Sequence, residues 1–269
     1  MTEQDYVLGT HDDELIRLGL QHRVWRPRAL DAWRRAGFTA GQTLLDVGCG
    51  PGYATVDLAG IVGGRGQVVA VDRSERFLAA LQAIARRDGL TNVVTHQRDL
   101  ETDELPDVHP DGAWVRWVFA FLGRPRDLLA RICSALRPGG ILVVHEYFNW
   151  ETFRFLQRSP VFEDFTRSVM KTWRATGGEP NIALELPSWL EDLGMTVHSL
   201  QPIIDVISPD NFVWQWPKSF VEVSVQRLAD LGEIDANRAV EIRNEFVACE
   251  KAPHARMITP AVLEIIATK

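Results

Sequence analysis

Cysteine is scarce. The 269 residues hold three, Cys49, Cys133 and Cys249, with no CxxC pair among them. That scatter offers neither a disulfide framework nor a zinc site, and no bound metal is expected. An excess of positive charge is missing too. Asp and Glu number 36 against 29 Lys and Arg, a formal net charge of −7. Nucleic-acid backbones are held largely by clustered Lys and Arg, so this balance disfavours such a partner. No apolar run approaches the ~20 residues that span a bilayer. The opening MTEQDYVLGTHDDE is acidic where a secretion signal is basic and then apolar. A cytoplasmic protein without membrane insertion is expected. There is no HExxH helix, no Walker loop and no Ser-His-Asp order, which leaves hydrolase and nucleotide-triphosphatase readings without support. Internal repeats and low-complexity tracts are absent as well.

What remains is an ordinary globular composition, 46% hydrophobic and 24% charged. Apolar strands alternate with amphipathic helices. TLLDV (43–47), QVVAVD (67–72), a strand within AWVRWVFAF (113–121) and GILVVHEY (140–147) are near-continuous apolar runs, the pattern of strands covered on both faces of a parallel sheet. NVVTHQ (92–97) adds a shorter one. Between them, SERFLAALQAIARRDG opens on Ser74 as N-cap and stops at Gly89. RPRDLLARICSALRPGG starts at Pro125 and ends on Pro138-Gly139-Gly140. Such alternation implies right-handed crossovers and a doubly wound α/β sheet.

In that architecture ligands lie beyond the carboxyl ends of the strands. LLDVGCGPGYATVDLA (44–59) runs straight from a strand into a turn with three glycines, Gly48, Gly50 and Gly52. Glycine reaches positive φ cheaply and lets a ligand lie against the backbone. Asp72 ends the second strand 20 residues after Gly52, where a dinucleotide fold places the carboxylate that binds ribose hydroxyls. Asp99, after the next strand, is placed to accept from an adenine amino group. Both nicotinamide and S-adenosylmethionine enzymes use this arrangement. The turn departs from G-x-G-x-x-G, and Asp46 beside it would repel a pyrophosphate while favouring an ammonium group. Cys49 sits among the glycines as a small side chain rather than a nucleophile.

With LLDVGCGPG, VVAVDRS, QRDLE and ALRPGGILVVHEY in place over about residues 40–147, the sequence resembles the class I S-adenosylmethionine-dependent methyltransferases. Within them it is similar to the small-molecule enzymes of ubiquinone and menaquinone biosynthesis and their secondary-metabolism relatives. The resemblance implies a Rossmann-like seven-stranded sheet, S-adenosylmethionine as cofactor and S-adenosylhomocysteine as product. It implies that Asp46, Gly48, Cys49, Gly50 and Gly52 surround the methionyl part, Asp72 the ribose, and Arg73, Asp99 and Leu100 the adenine. Arg116 would offer a backbone carbonyl near the sulfonium, although many members carry a small or acidic residue where Arg116 and Trp117 stand.

One domain spanning residues 1–269 is expected. Helices in 1–39 would cover the cofactor, with Pro27 opening one and Gly37 closing it. Residues 40–147 would form the core, 148–180 and 208–252 helical lid insertions, and 181–207 and 253–269 the rest of the sheet. The lid aromatics imply either an apolar pocket for a small aromatic substrate or a core of the lid's own; exposed, they could equally pair two copies into a homodimer. Tyr6, Gln21, Trp25, Trp117 and Trp150 are candidate substrate contacts. His145, taken as lying just past the fourth strand, is the candidate general base, with Glu146 on the opposite side. His198 and His254 have no partner at telling spacing. Alternatives are an NAD-linked oxidoreductase or a non-catalytic S-adenosylmethionine-binding protein.

Overall fold

The computed structural model describes residues 12–269. A seven-stranded sheet in the order β3-β2-β1-β4-β5-β10-β7 forms its centre. β1 (Thr43–Val47), β2 (Gln67–Asp72), β3 (Val93–Gln97), β4 (Gly112–Arg116) and β5 (Ile141–Asn149) are parallel. β10 (Ala261–Thr268) runs antiparallel between β5 and β7 (Thr196–Ile203). The chain leaves β1 towards β2 on one side and later returns to β4 on the other, so the switch point lies between the carboxyl ends of β1 and β4.

Register partners share a face. Leu44, Val68, Trp114, Val143 and Ile266 point one way, where they pack against Ala29, Ala32 and Trp33 of α1 (Asp12–Arg35) and Leu58 and Val62 of α2 (Tyr53–Val62). Asp46, Arg116, His145 and Glu264 project from the same face. Leu45, Val69, Ala113, Leu142 and Val144 point the other way, into a core shared with Leu128, Leu129 and Ile132 of α4 (Pro125–Ala135). α3 (Glu75–Arg87) begins as its sequence requires: Phe77 N donates to Ser74 Oγ over 3.2 Å, and Gly89 takes φ 66 just past its end.

Three boundaries differ from the sequence expectation. Pro27 opens no helix; α1 runs through it for 24 residues. Proline removes one helical hydrogen bond at a cost of ~3 kcal/mol, but Trp25, Ala29, Ala32 and Trp33 around it are buried, and their packing holds the helix together. β5 continues to Asn149, so His145 is a mid-strand residue. Residues 255–269 split in two at Pro260, which has no N–H to give a ladder. Before it, β9 (Met257–Ile258) joins β6 (Arg154–Phe155) and β8 (Val206–Ile207) in a small antiparallel sheet.

That small sheet anchors the two insertions, which carry α5 (Pro160–Ala175), α7 (Gln215–Asp230) and α8 (Ala236–Lys251). Ser159 joins two of these helices. Its hydroxyl accepts from Phe162 N at the start of α5 and donates to Glu245 of α8 over 2.6 Å. Asp235 caps α8. Phe153 meets Phe162 edge to face, and Phe155, Phe162, Phe246 and Trp214 pack at tilted angles, so these lid aromatics form a core of the lid's own. α6 (Leu186–Asp192) lies between the two insertions. No helix among the described residues is long and apolar enough to cross a membrane.

Candidate active site

All three glycines of the turn take positive φ: 68° at Gly48, 53° at Gly50 and 84° at Gly52. Their reasons differ. A Cβ on Gly48 would lie 2.4 Å from Val118, and one on Gly52 2.2 Å from Leu81, whereas one on Gly50 meets nothing within 4 Å. Gly48 and Gly52 are therefore required by packing. Gly50 alone presents bare backbone to open space. Its N–H is already committed, donating to Asp72 Oδ2 over 2.8 Å, while Ser74 N donates to Asp72 Oδ1 over 2.9 Å. Two backbone donors thus fix the Asp72 carboxylate at the crevice rim, each oxygen keeping a lone pair for a diol. Burial raises its pKa, and these bonds oppose the rise.

Asp46 is wholly buried, and burial pushes its carboxyl up to about 6 although Thr55 Oγ1 donates to it over 2.6 Å and Arg116 lies in its field. Cys49 is buried and its thiol is held well above the ordinary range by desolvation, which fits a filler and not a nucleophile. Asp99 accepts from Glu101 N over 2.9 Å, capping its own turn, and the Leu100 carbonyl accepts from Arg131. Arg73 is exposed beside Asp72, its carbonyl taken by Gln97. Tyr6 lies outside the described residues.

β4 ends because Trp117 enters the left-handed region at φ 53°, which is strained for a bulky residue. Trp117 N still donates to the His145 carbonyl. Beyond it the amides of Val118 and Ala120 turn onto Glu146 Oε2 over 3.0 and 3.4 Å, and Tyr147 N reaches Oε1 over 3.2 Å. Glu146 is thus the post that holds the turn bearing Trp117. Burial pushes its carboxyl up to about 8 against the pull of those amides. Between its ordinary value of 4.5 and 8 the folded protein keeps a proton that the unfolded chain has released, so stability falls as pH rises through that window. The slope reaches about 1.4 kcal/mol per pH unit. Thermal melts from pH 5 to 9 are expected to show this decline in the wild type and its loss in Glu146→Gln; an equal slope in both would place the proton elsewhere.

His145 does not occupy a strand end. It is fully enclosed, with Trp25 at 5.8 Å and Trp114 at 4.9 Å between ring centroids, and Nε2 lies 3.0 Å from Glu264 Oε2. Glu264 in turn accepts from Arg35 of α1. Burial lowers the His145 pKa, so the ring is neutral and donates Nε2–H to the carboxylate. This geometry ties β5, β10 and α1 together, and corrects the expectation of a base at the edge of the site.

A second histidine gave no signal in the sequence. His22 of α1 contacts Asp57 of α2 through Nε2 over 3.0 Å and Arg116 Nη2 through Nδ1 over 3.3 Å. Arginine can only donate, so Nδ1 is the acceptor and Nε2–H points to Asp57. Arg26 closes the cluster by forking onto Asp57 over 2.8 and 3.0 Å. The contacting pairs are 31 to 94 positions apart, a separation that no local motif reveals. Trp25, Trp117 and Trp150 are all buried in one contiguous aromatic group with Tyr147, Trp173 and Trp216.

Residues 38–177, the sheet from before β1 through α5, match the family model described as a methyltransferase domain. The chain belongs to this methyltransferase family. Among similar proteins, a ubiquinone/menaquinone biosynthesis C-methyltransferase of Pseudomonas fluorescens is 32% identical over 130 residues, 48% of this chain and 50% of that one. A 2-phytyl-1,4-naphtoquinone methyltransferase of Synechococcus elongatus is 29% identical over 165 residues, 60% of this chain and 65% of that one. The chain spans about half to two thirds of the length of the curated relatives it matches. An S-adenosylmethionine-dependent methyltransferase from Mesorhizobium loti shares the fold at a TM-score of 0.55 and 15% identity, covering 93% of this methyltransferase-family chain and all of the other.

Proposed function

We propose that this protein transfers a methyl group from S-adenosylmethionine to a small aromatic molecule, releasing S-adenosylhomocysteine. The observation that carries the reading is the glycine turn at the β1/β4 switch point. There Gly50 leaves bare backbone beside two carboxylates, the buried Asp46 and the half-buried Asp72, that suit an amino-acid head group and a ribose diol. Bound there, the cofactor would supply an electrophilic methyl carbon on a sulfonium. The protein's share is alignment and exclusion of water. Asp72 would orient the sugar, Asp46 the ammonium group, and the helical insertions would cover the acceptor. The family membership and the quinone-type relatives support the same chemistry.

Calorimetric titration with S-adenosylmethionine, S-adenosylhomocysteine and NAD in parallel tests this. The first two are expected to bind at micromolar levels, about −8 kcal/mol, and NAD not to bind. Binding of NAD alone would sink the assignment in favour of hydride transfer.

A further inference from the structure

The aromatic group at the ends of β4 and β5 is rich in hydrogen-bond donors that have nothing to donate to. The indole N–H groups of Trp25, Trp117, Trp150 and Trp173 are buried without an acceptor, and so is Nη1 of Arg116. The unmatched acceptors nearby are His145 Nδ1 and Asn149 Oδ1. A buried donor left unpaired costs ~1–3 kcal/mol, and Arg116 Nη1, a charged donor without a partner beside these rings, marks a place completed by something that accepts.

Arg116 is the cation beside these rings, with Asp46 and Asp57 in its field. His22 fixes its Nη2, Trp114 and Trp117 lie 5.8 and 5.2 Å from its guanidinium carbon, and no ion pair engages it among the described residues. Burial lowers its pKa only to about 10, so it stays cationic at neutral pH. Arg28 lies over Trp25 at 4.9 Å but is paired with Asp205, so it adds no free charge. Around them the rings are flat and nearly parallel: Trp117 stacks on Tyr147 at 5.4 Å and 15°, and on Trp216 at 5.7 Å and 14°.

We propose that the methyl acceptor is a planar aromatic oxyanion, its ring laid against the stack of Trp117, Tyr147 and Trp216 and its charged oxygen bound by Arg116. This rests on the function proposed above and narrows it. Arg116 favours the ionised form of the acceptor, so the acceptor arrives already deprotonated and donates an electron pair to the methyl carbon as the C–S bond breaks onto sulfur. No general base is then needed, in keeping with the structural place of His145. His22 and Asp57 are positioning residues that hold the guanidinium while leaving Nη1 available. An amine acceptor in its ammonium form is repelled.

The test uses protein saturated with S-adenosylhomocysteine and follows tryptophan fluorescence on adding 2-naphthoate, 2-naphthamide or 2-naphthylmethylammonium. The naphthoate is expected to bind at least about tenfold tighter than the neutral amide, and the ammonium least of all. Arg116→Met should erase the naphthoate preference and leave S-adenosylhomocysteine affinity within about twofold. His22→Phe, which keeps the charge but frees it, should reduce the preference partway. Equal binding of naphthoate and amide by the wild type overturns the proposal without needing any variant. So does a drop in S-adenosylhomocysteine affinity in Arg116→Met with 5′-methylthioadenosine unaffected, because that assigns the cation to the cofactor's carboxylate. Failure of the wild type to bind S-adenosylhomocysteine at all would instead remove the function on which the proposal rests.

Discussion

Gly52→Ala is expected to remove about 2–5 kcal/mol of stability, the sum of an overpacked core and a left-handed alanine. The new Cβ would sit 2.2 Å from Leu81 Cδ1 and 2.7 Å from its Cγ, at φ 84°. Leu81 is itself fully buried, so there is nowhere for it to retreat. A domain with a total margin of ~5–15 kcal/mol feels such a loss as a large fall in melting temperature. Gly50→Ala is the informative partner. It carries the left-handed cost of ~1–2 kcal/mol alone, because its Cβ meets nothing within 4 Å. That Cβ would instead stand in the crevice and oppose the ligand. Urea denaturation and S-adenosylhomocysteine titration of both variants separate the two roles. Matching stabilities would mean that Leu81 repacks and that the packing account of Gly52 is wrong.

Asp72→Ala is the second large effect. Losing the carboxylate removes the proposed ribose contact, and it also strands the Gly50 and Ser74 amides that now donate to it. A charge-assisted bond is worth ~1.5–3 kcal/mol. Two to one diol should weaken S-adenosylhomocysteine binding by at least about a hundredfold. The stranded amides add a stability loss of ~1–3 kcal/mol each, so this variant is expected to melt lower as well. Asp72→Asn keeps one acceptor oxygen and discriminates. If it binds S-adenosylhomocysteine as tightly as the wild type, the ribose assignment fails.

The central sheet was legible because its strands are short apolar runs closed by Asp, Gly and Pro, and each helix between them carries its own cap and stop. The glycine turn was legible in outline, since three glycines in five residues have few other uses. Which glycine faces the ligand was not, because Val118 and Leu81, whose bulk decides it, come from distant parts of the chain. The buried charges escaped sequence reading for the same reason. Asp57 and Glu264 carry no local signal, and only tertiary packing brings them to His22 and His145. His145 was misplaced because it was read as lying beyond the strand, whereas β5 carries it at its middle and runs on to Asn149. Trp117 departed from expectation more sharply: nothing in AWVRWVFAF announces that the strand stops at a left-handed tryptophan.

The position of β10 has a consequence for how the sheet is made. Within β1 to β5 the partners lie 24 to 68 positions apart, whereas β10 meets β5 across 112 to 127, and each crossover helix can lay itself down as it forms. β7 has β10 as its sole neighbour in the sheet, and β10 sits between β7 and β5. Until β10 arrives, β5 is an open edge and β7 has nothing to pair with. The parallel half can therefore assemble first, with the antiparallel half closing as a late, long-range step. An intermediate halted there would present the hydrophobic rim of β5, a template for pairing with another copy. The Glu264 contacts to His145 and Arg35 then act as a latch, because they form only when the last-ordered strand is home.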